Sequence, residues 1–168
     1  TGYAAFPLEQ MSEKGILLSN ALGNFSIPVA EHVFALALAL IRQVPQFYAD
    51  QQEATWNRMQ GAELSELYDK QMTIVGLGDI GRAIAERALA FGMKVHATKR
   101  DPAVGHGPLE STQVYGTHEL RSLLPQTDVL VLIVPLTDNT YHLIDEEALA
   151  SLPRSAMLIN VSRGPVVD

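Results

Sequence analysis

Three glycines within six residues, Gly76-Leu77-Gly78-Asp79-Ile80-Gly81, are where residue type and spacing in this chain could most directly do chemistry. They follow the apolar run Met72-Thr73-Ile74-Val75 and lead into a segment whose apolar residues, Ile80, Ile84, Ala88 and Leu89, recur at helical spacing. At such a junction the first glycine permits a tight turn, and the second lets a diphosphate meet bare backbone. The third lets the helix pack close to the strand. The helix start adds unpaired N–H groups and the positive end of its dipole, both suited to anionic phosphates. Glycines alone would mark only a turn. With a strand before them and a helix after, they mark a dinucleotide-binding loop.

Which dinucleotide is decided about 20 residues further on, at the end of the second strand, where an Asp or Glu binds the ribose hydroxyls of NAD. The sequence there reads Val95-His96-Ala97-Thr98-Lys99-Arg100-Asp101. Lys99 stands where the acid is expected, with Arg100 beside it. Two cations suit a 2′-phosphate, so NADP is favoured over NAD. The alternative is a solvated Lys99 and Arg100, with Asp101 doing the acid's work in a shifted register.

The elements that must hold these groups alternate in type. Leu8 to Lys14 reads as a short helix stopped by Gly15, and Ile16 to Ser19 as a strand. A helix with Pro28 in its first turns runs to about Arg42, apolar on most sides (Val29, Val33, Phe34, Leu36, Ala37, Leu40, Ile41), and Pro45 ends it. So apolar a helix is expected to be buried between two bodies of protein, or to mediate a homodimer. Polar, Gln-rich sequence from Gln46 to Lys70 makes a connection. Strands are expected at Met72–Val75, Lys94–Thr98, weakly at Gln113–Tyr115, at Val129–Val134 and at Ala156–Val161. Helices are expected at Asp79–Phe91, Glu119–Leu124 and Asp145–Leu152. That alternation predicts an α/β fold, a Rossmann-type doubly wound parallel sheet. The pattern breaks off at Asp168 just after a strand, so the sheet is expected to be truncated at its C-terminal end.

Composition narrows the classes. A formal net charge of −7 and the lack of any Lys/Arg run argue against nucleic acid as a partner. No cysteine is present, which removes disulfides and thiolate chemistry, and no histidine pair has metal-ligand spacing, so no metal is expected. The longest apolar run, Val33 to Ile41, falls short of the roughly 20 residues that span a bilayer. The expectation is a cytoplasmic protein with no membrane partner.

Three further stretches narrow the family. Ala30-Glu31-His32 resembles an "AEH" segment, Val134-Pro135-Leu136-Thr137 with Thr140 a "PLT…T" turn, and Ile159-Asn160-Val161-Ser162-Arg163-Gly164 an "N-x-x-R-G" motif. With Thr1-Gly2-Tyr3 and the glycine loop they occur in the order found in D-isomer-specific 2-hydroxyacid dehydrogenases, which the chain resembles over essentially its whole length.

That resemblance implies an NAD(P)-dependent oxidoreductase transferring hydride between a nicotinamide cofactor and a small D-2-hydroxy acid or 2-oxo acid. It implies that residues 1–25 are the tail of a substrate-domain segment, 26–70 a linking helix and connection, and 71–168 the dinucleotide-binding segment. Arg163 matches the arginine that holds the substrate's carboxylate and carbonyl oxygen, and so the catalytic position; the alternative is a surface ion-pair partner. Thr1 and Gly2 match a loop that grips the substrate carboxylate. Gly76, Gly78, Asp79, Ile80 and Gly81 match the pyrophosphate loop, and Thr98, Lys99 and Arg100 the adenosine-ribose pocket. Val134, Pro135 and Thr140 match its adenine and ribose wall, and Val161 and Ser162 flank the nicotinamide. The family's histidine–glutamate acid/base pair lies downstream of the "N-x-x-R-G" motif. None of His32, His96, His106, His118 and His142 matches it. The alternative function is a non-catalytic dinucleotide sensor or corepressor-like module on the same fold.

Overall fold

Among the described residues five segments become the strands of one parallel sheet: β1 (Gln71–Val75), β2 (Lys94–Lys99), β3 (Thr112–Gly116), β4 (Val129–Leu132) and β5 (Met157–Asn160). The described residues also form six α-helices: α1 (Leu8–Glu13), α2 (Ser26–Ile41), α3 (Val44–Gln52), α4 (Asp79–Ala90), α5 (Leu120–Leu123) and α6 (Glu146–Ser151). The structure is a computed structural model that describes residues 6–19, 21, 23–56, 64–103 and 111–168.

The strand order is β3-β2-β1-β4-β5, and every neighbouring pair runs parallel. Parallel strands need crossover connections, and those place helices on both faces of the sheet. β1 and β4 are accordingly buried at every position. Because side chains alternate along a strand, each contributes to two cores. Met72, Ile74, Val95, Ala97, Val129, Val131 and Ile159 pack beneath α2 and α4. Val75, Leu130 and Leu132 pack on the other face with Leu120, Leu124, Ile144, Ala148 and Val166. The doubly wound α/β fold is therefore present.

Helix α2 buries Ala30, Val33, Phe34 and Ala37, one stripe at helical spacing, and the Phe34 ring stacks on Phe91 at 5.1 Å. Its other side, with Ile27, Leu36 and Leu40, is exposed in this chain. Within this chain the helix is buried on one face.

Three expectations need correction. Ile16 to Ser19 forms no strand, and Leu17 is almost wholly exposed. Apolar alternation suits a strand, but a strand exists only where a neighbour completes its ladder, and none of the described strands does. Pro45 does not end α2. Gln43 does, in the left-handed conformation (φ 55°), and Pro45 sits in the first turn of α3, where its missing N–H costs nothing. The segment expected as one helix at 119–124 is a single α-turn, α5, between 3₁₀ turns. The weak third strand is real as β3. Asp145 caps α6, its carboxylate accepting from Ala148 N at 2.9 Å. Arg121 and that backbone bond hold the Asp145 carboxyl below its usual range. Among the described residues no single helix is long and apolar enough to cross a membrane.

A buried hydroxyl pair joins β1 to the turn before β4. Thr73 Oγ1 lies 2.6 Å from Thr127 Oγ1, which donates to Leu123 O at 2.9 Å. Thr127 has one proton and directs it to that carbonyl, so Thr73 is the donor within the pair. Thr127→Val would leave the Thr73 hydroxyl buried and unpartnered, costing about 1–3 kcal/mol, whereas Thr73→Val should cost no more than about 1 kcal/mol. Urea unfolding of the two variants measures the difference, and equal losses would contradict the assigned direction.

Candidate functional site

β2 and β3 lie to one side of β1, and β4 and β5 to the other, so the winding reverses between β1 and β4. Crossovers leaving in opposite directions part there and open a crevice at the carboxyl ends of the strands. A cleft of about 680 Å³ occupies that place. Gly78, Asp79, Ile80 and Gly81 line it after β1; Ile133, Val134, Pro135 and Leu136 after β4; and Val161, Ser162 and Arg163 after β5. The facing wall is Ala21, Gly23 and the start of α2, with Phe25, Ser26 and Val29.

The three loop glycines meet three different constraints. Gly76 holds φ +107°, and a Cβ there would lie 2.6 Å from the carbonyl oxygen of Ile133. A Cβ on Gly81 would collide with the carbonyl oxygen of Gly76, so this position sets how closely α4 approaches β1. Nothing lies within 4 Å of a Cβ built on Gly78, which lines the cleft. The first and third glycines serve the protein's own packing; the second keeps backbone bare toward the cleft. Gly78 is also the N-cap of α4, and the first helical hydrogen bond is from Arg82 N to Gly78 O at 2.8 Å. The N–H groups of Asp79, Ile80 and Gly81 precede it and have no carbonyl within the helix. Open space over a glycine beside unpaired amides fits a diphosphate.

Val134 and Pro135 line the cleft, but Thr140 does not. Its hydroxyl accepts from Thr137 N (2.8 Å) and donates to Pro135 O (2.6 Å), bracing the turn from behind. Thr98, Lys99 and Arg100 are also outside the lining. They end β2 beside the loop, tied to it by the bond from Gly76 N to Thr98 O at 3.1 Å. Thr98 is buried, and its hydroxyl has no partner. The Asp101 carboxylate accepts from Ala103 N at 3.0 Å, closing a local turn. Arg163 is exposed within the cleft, its Nη1 donating to Ser162 O at 2.7 Å. Thr1 and Gly2 lie outside the described residues.

None of the described histidines lines the cleft. His96 faces the Tyr115 ring edge-on at 5.3 Å, and burial pushes its imidazole pKa down. His142 Nδ1 is 3.1 Å from the Asp168 carboxylate, and His32 is exposed on α2. Sequence reasoning named the turn that contains Leu136 without giving that residue a place in the site, and it missed Ile133 just before the turn and the Phe25–Ser26–Val29 wall. That wall carries no local signal, because only packing of α2 on α4 brings it to the cleft.

A glycine loop and a crevice at a topological switch point define a dinucleotide-binding domain of the Rossmann type. The chain belongs to the D-isomer specific 2-hydroxyacid dehydrogenases: residues 34–168 match the family's NAD binding domain. It is similar to D-3-phosphoglycerate dehydrogenase of Methanocaldococcus jannaschii, at 36% identity over 161 residues, covering 96% of this chain and 30% of that one. It is also similar to glyoxylate/hydroxypyruvate reductase B of Yersinia pestis, at 36% identity over 172 residues, covering 99% and 51%. Its fold superposes on D-lactate dehydrogenase from Aquifex aeolicus, solved with NAD and lactic acid. There the TM-score is 0.85 and the identity 30%, covering 99% of this chain and 49% of that one. The chain spans about half or less of the length of these relatives.

Gly78→Val should keep the thermal midpoint and fill the cleft. Losing one hydrogen bond to a charged phosphate, about 2 kcal/mol, lowers affinity roughly thirtyfold, so NADH binding should weaken by at least that much. Gly81→Ala should instead destabilise the fold by about 1–3 kcal/mol through overlap with Gly76. Calorimetric melting and NADH titration of both variants separate the two roles, which a shared effect on stability would merge.

Proposed function

We propose that this chain is the cofactor-holding part of an oxidoreductase that moves a hydride between a nicotinamide cofactor and a small D-2-hydroxy acid or its 2-oxo acid. The observation carrying this is that Arg163 and the first residues of α4 line one cleft. When bound, the nicotinamide supplies or accepts the hydride. The amides of Asp79, Ile80 and Gly81 hold the diphosphate, and Val134, Pro135, Val161 and Ser162 form the walls that orient the rest. The Arg163 guanidinium, a planar fork, takes a carboxylate in two parallel bonds and polarises the adjacent carbonyl. Thr1 and Gly2 would grip the same carboxylate by resemblance. A glutamate-supported histidine, the proton donor the family implies, has no counterpart among the residues lining the cleft.

Lys99 and Arg100 favour NADP over NAD. Their support is position: they follow the strand tied to Gly76, where an acid would select the ribose hydroxyls, and the nearest acid, Asp101, is bonded to Ala103 N. Residues 1–25 are proposed to complete a substrate domain, 26–70 to link it, and 71–168 to hold the cofactor. Exposure of Ile16, Leu17 and Leu18 favours a covering partner for the first segment.

The exposed face of α2 and α3, with Ile27, Leu36, Leu40, Phe47 and Tyr48, is proposed to pair with a second copy of the chain. Sedimentation of the unmodified chain should give a dimer and Leu40→Glu a monomer; a monomer in both cases rejects it.

Titration of the chain with NADPH and NADH tests the cofactor reading. NADPH should bind roughly tenfold tighter, and Lys99→Asp should reverse the order. Arg163→Gln should leave cofactor affinity within about twofold while removing binding of oxamate, a 2-oxo acid mimic, to the cofactor-loaded chain. Tighter NADH binding by the unmodified chain would overturn the NADP preference, and oxamate binding indifferent to Arg163 would overturn its role.

A further inference from the structure

We infer that Asn160 is the positioning residue for the cleft wall that carries Arg163, given the dinucleotide cleft proposed for this chain. Asn160 is the last residue of β5, paired in register with Leu132, and does not itself line the cleft. The next three residues leave the sheet and line it. The ladder reaches only as far as Val161, whose N–H donates to Leu132 O at 3.1 Å. Past that point the chain has two free dihedrals per residue and no strand to hold it.

The Asn160 side chain supplies the missing constraint. Its Oδ1 accepts from Ser162 N at 3.0 Å and from Ser162 Oγ at 2.7 Å, and its Nδ2 donates to Arg163 O at 2.9 Å. One amide therefore binds both residues after Val161, using an acceptor and a donor that only a carboxamide of this length presents together. The Ser162 hydroxyl proton is turned inward to Asn160 and is not offered to the cleft. Arg163 O also accepts from Val166 N at 3.2 Å, and Val166 is fully buried, so the Arg163 backbone is tied on both sides. The guanidinium then rests on Ser162 O at 2.7 Å, a carbonyl belonging to the turn that Asn160 closes. Asn160 thus acts on the nicotinamide and substrate end of the cleft through Ser162 and Arg163. Among the described residues its side chain bonds only Ser162 and Arg163, not the glycine loop at the diphosphate end.

That division supplies the test. ADP carries the diphosphate and adenosine but no nicotinamide, so the chain is titrated with ADP and with NADH, reading heat for both and nicotinamide emission for NADH. Asn160→Ala should weaken NADH binding roughly tenfold and lose the emission change on binding, while ADP affinity stays within about twofold. Asn160→Asp keeps the acceptor for Ser162 but loses the donor to Arg163 O, and its NADH affinity should fall between the two. It also carries the comparison should Asn160→Ala fail to fold. Equal losses for ADP and NADH, or unchanged NADH binding in both variants, would overturn the role. An unmodified chain that binds neither ligand overturns the dinucleotide cleft itself, a result distinct from NADH binding indifferent to residue 160.

Discussion

Close approach of backbone to backbone at the β1–α4 junction is the constraint on which the rest of the molecule depends. Gly81 and Gly76 meet where no Cβ fits, and Gly76 in turn lies against the Ile133 carbonyl. Those contacts set the distance of α4 from the sheet and the seam between β1 and β4. They also set where α2 lies, because α2 packs its small residues and Phe34 into the core it shares with α4. A side chain at either glycine would therefore displace the packing and the cleft together. Gly78, between them, is under no such pressure from the protein, and the absence of a Cβ there makes sense only as room for something else.

Polar groups around the cleft divide into those that face it and those that hold its walls. Thr140 locks the turn after β4 and Asn160 the turn after β5, each by bonding backbone groups that have left the ladder. Buried or half-buried backbone must find partners, and a turn at a strand end has lost its own. Short side chains with both a donor and an acceptor meet that need. The residues that line the cleft, by contrast, include the first ones of α4 and Arg163.

What was legible in the sequence is what local chemistry dictates. The glycine loop, the apolar runs of β1, β4 and β5 and the helix after Gly78 declare themselves through spacing, and β3 could be read as a weak strand. Ile16 to Ser19 has a strand's composition but lacks a partner, which no local pattern reveals. Pro45 reads equally as a stop and as a first-turn residue, and only the left-handed Gln43 before it decides. Of the site, the residues after β1, β4 and β5 were legible because they sit at strand ends in recognisable motifs. Phe25, Ser26 and Val29 were not, since they reach the cleft by tertiary packing. Thr140 was legible as part of a motif but not as a brace, because its partners are backbone atoms of its own turn.

The walls of the cleft come from separate stretches of chain: the start of α2, the loop after β1, and the turns after β4 and β5. The start of α2, the turn at 133–136 and the turn at 161–163 can each change residue without altering the contact between Gly76 and Gly81. A lineage built on this frame can therefore drift in what it accepts at one end of the crevice while its grip on phosphate stays the same. Selection can act on one end at a time, which is the condition for a single scaffold to diversify by small steps.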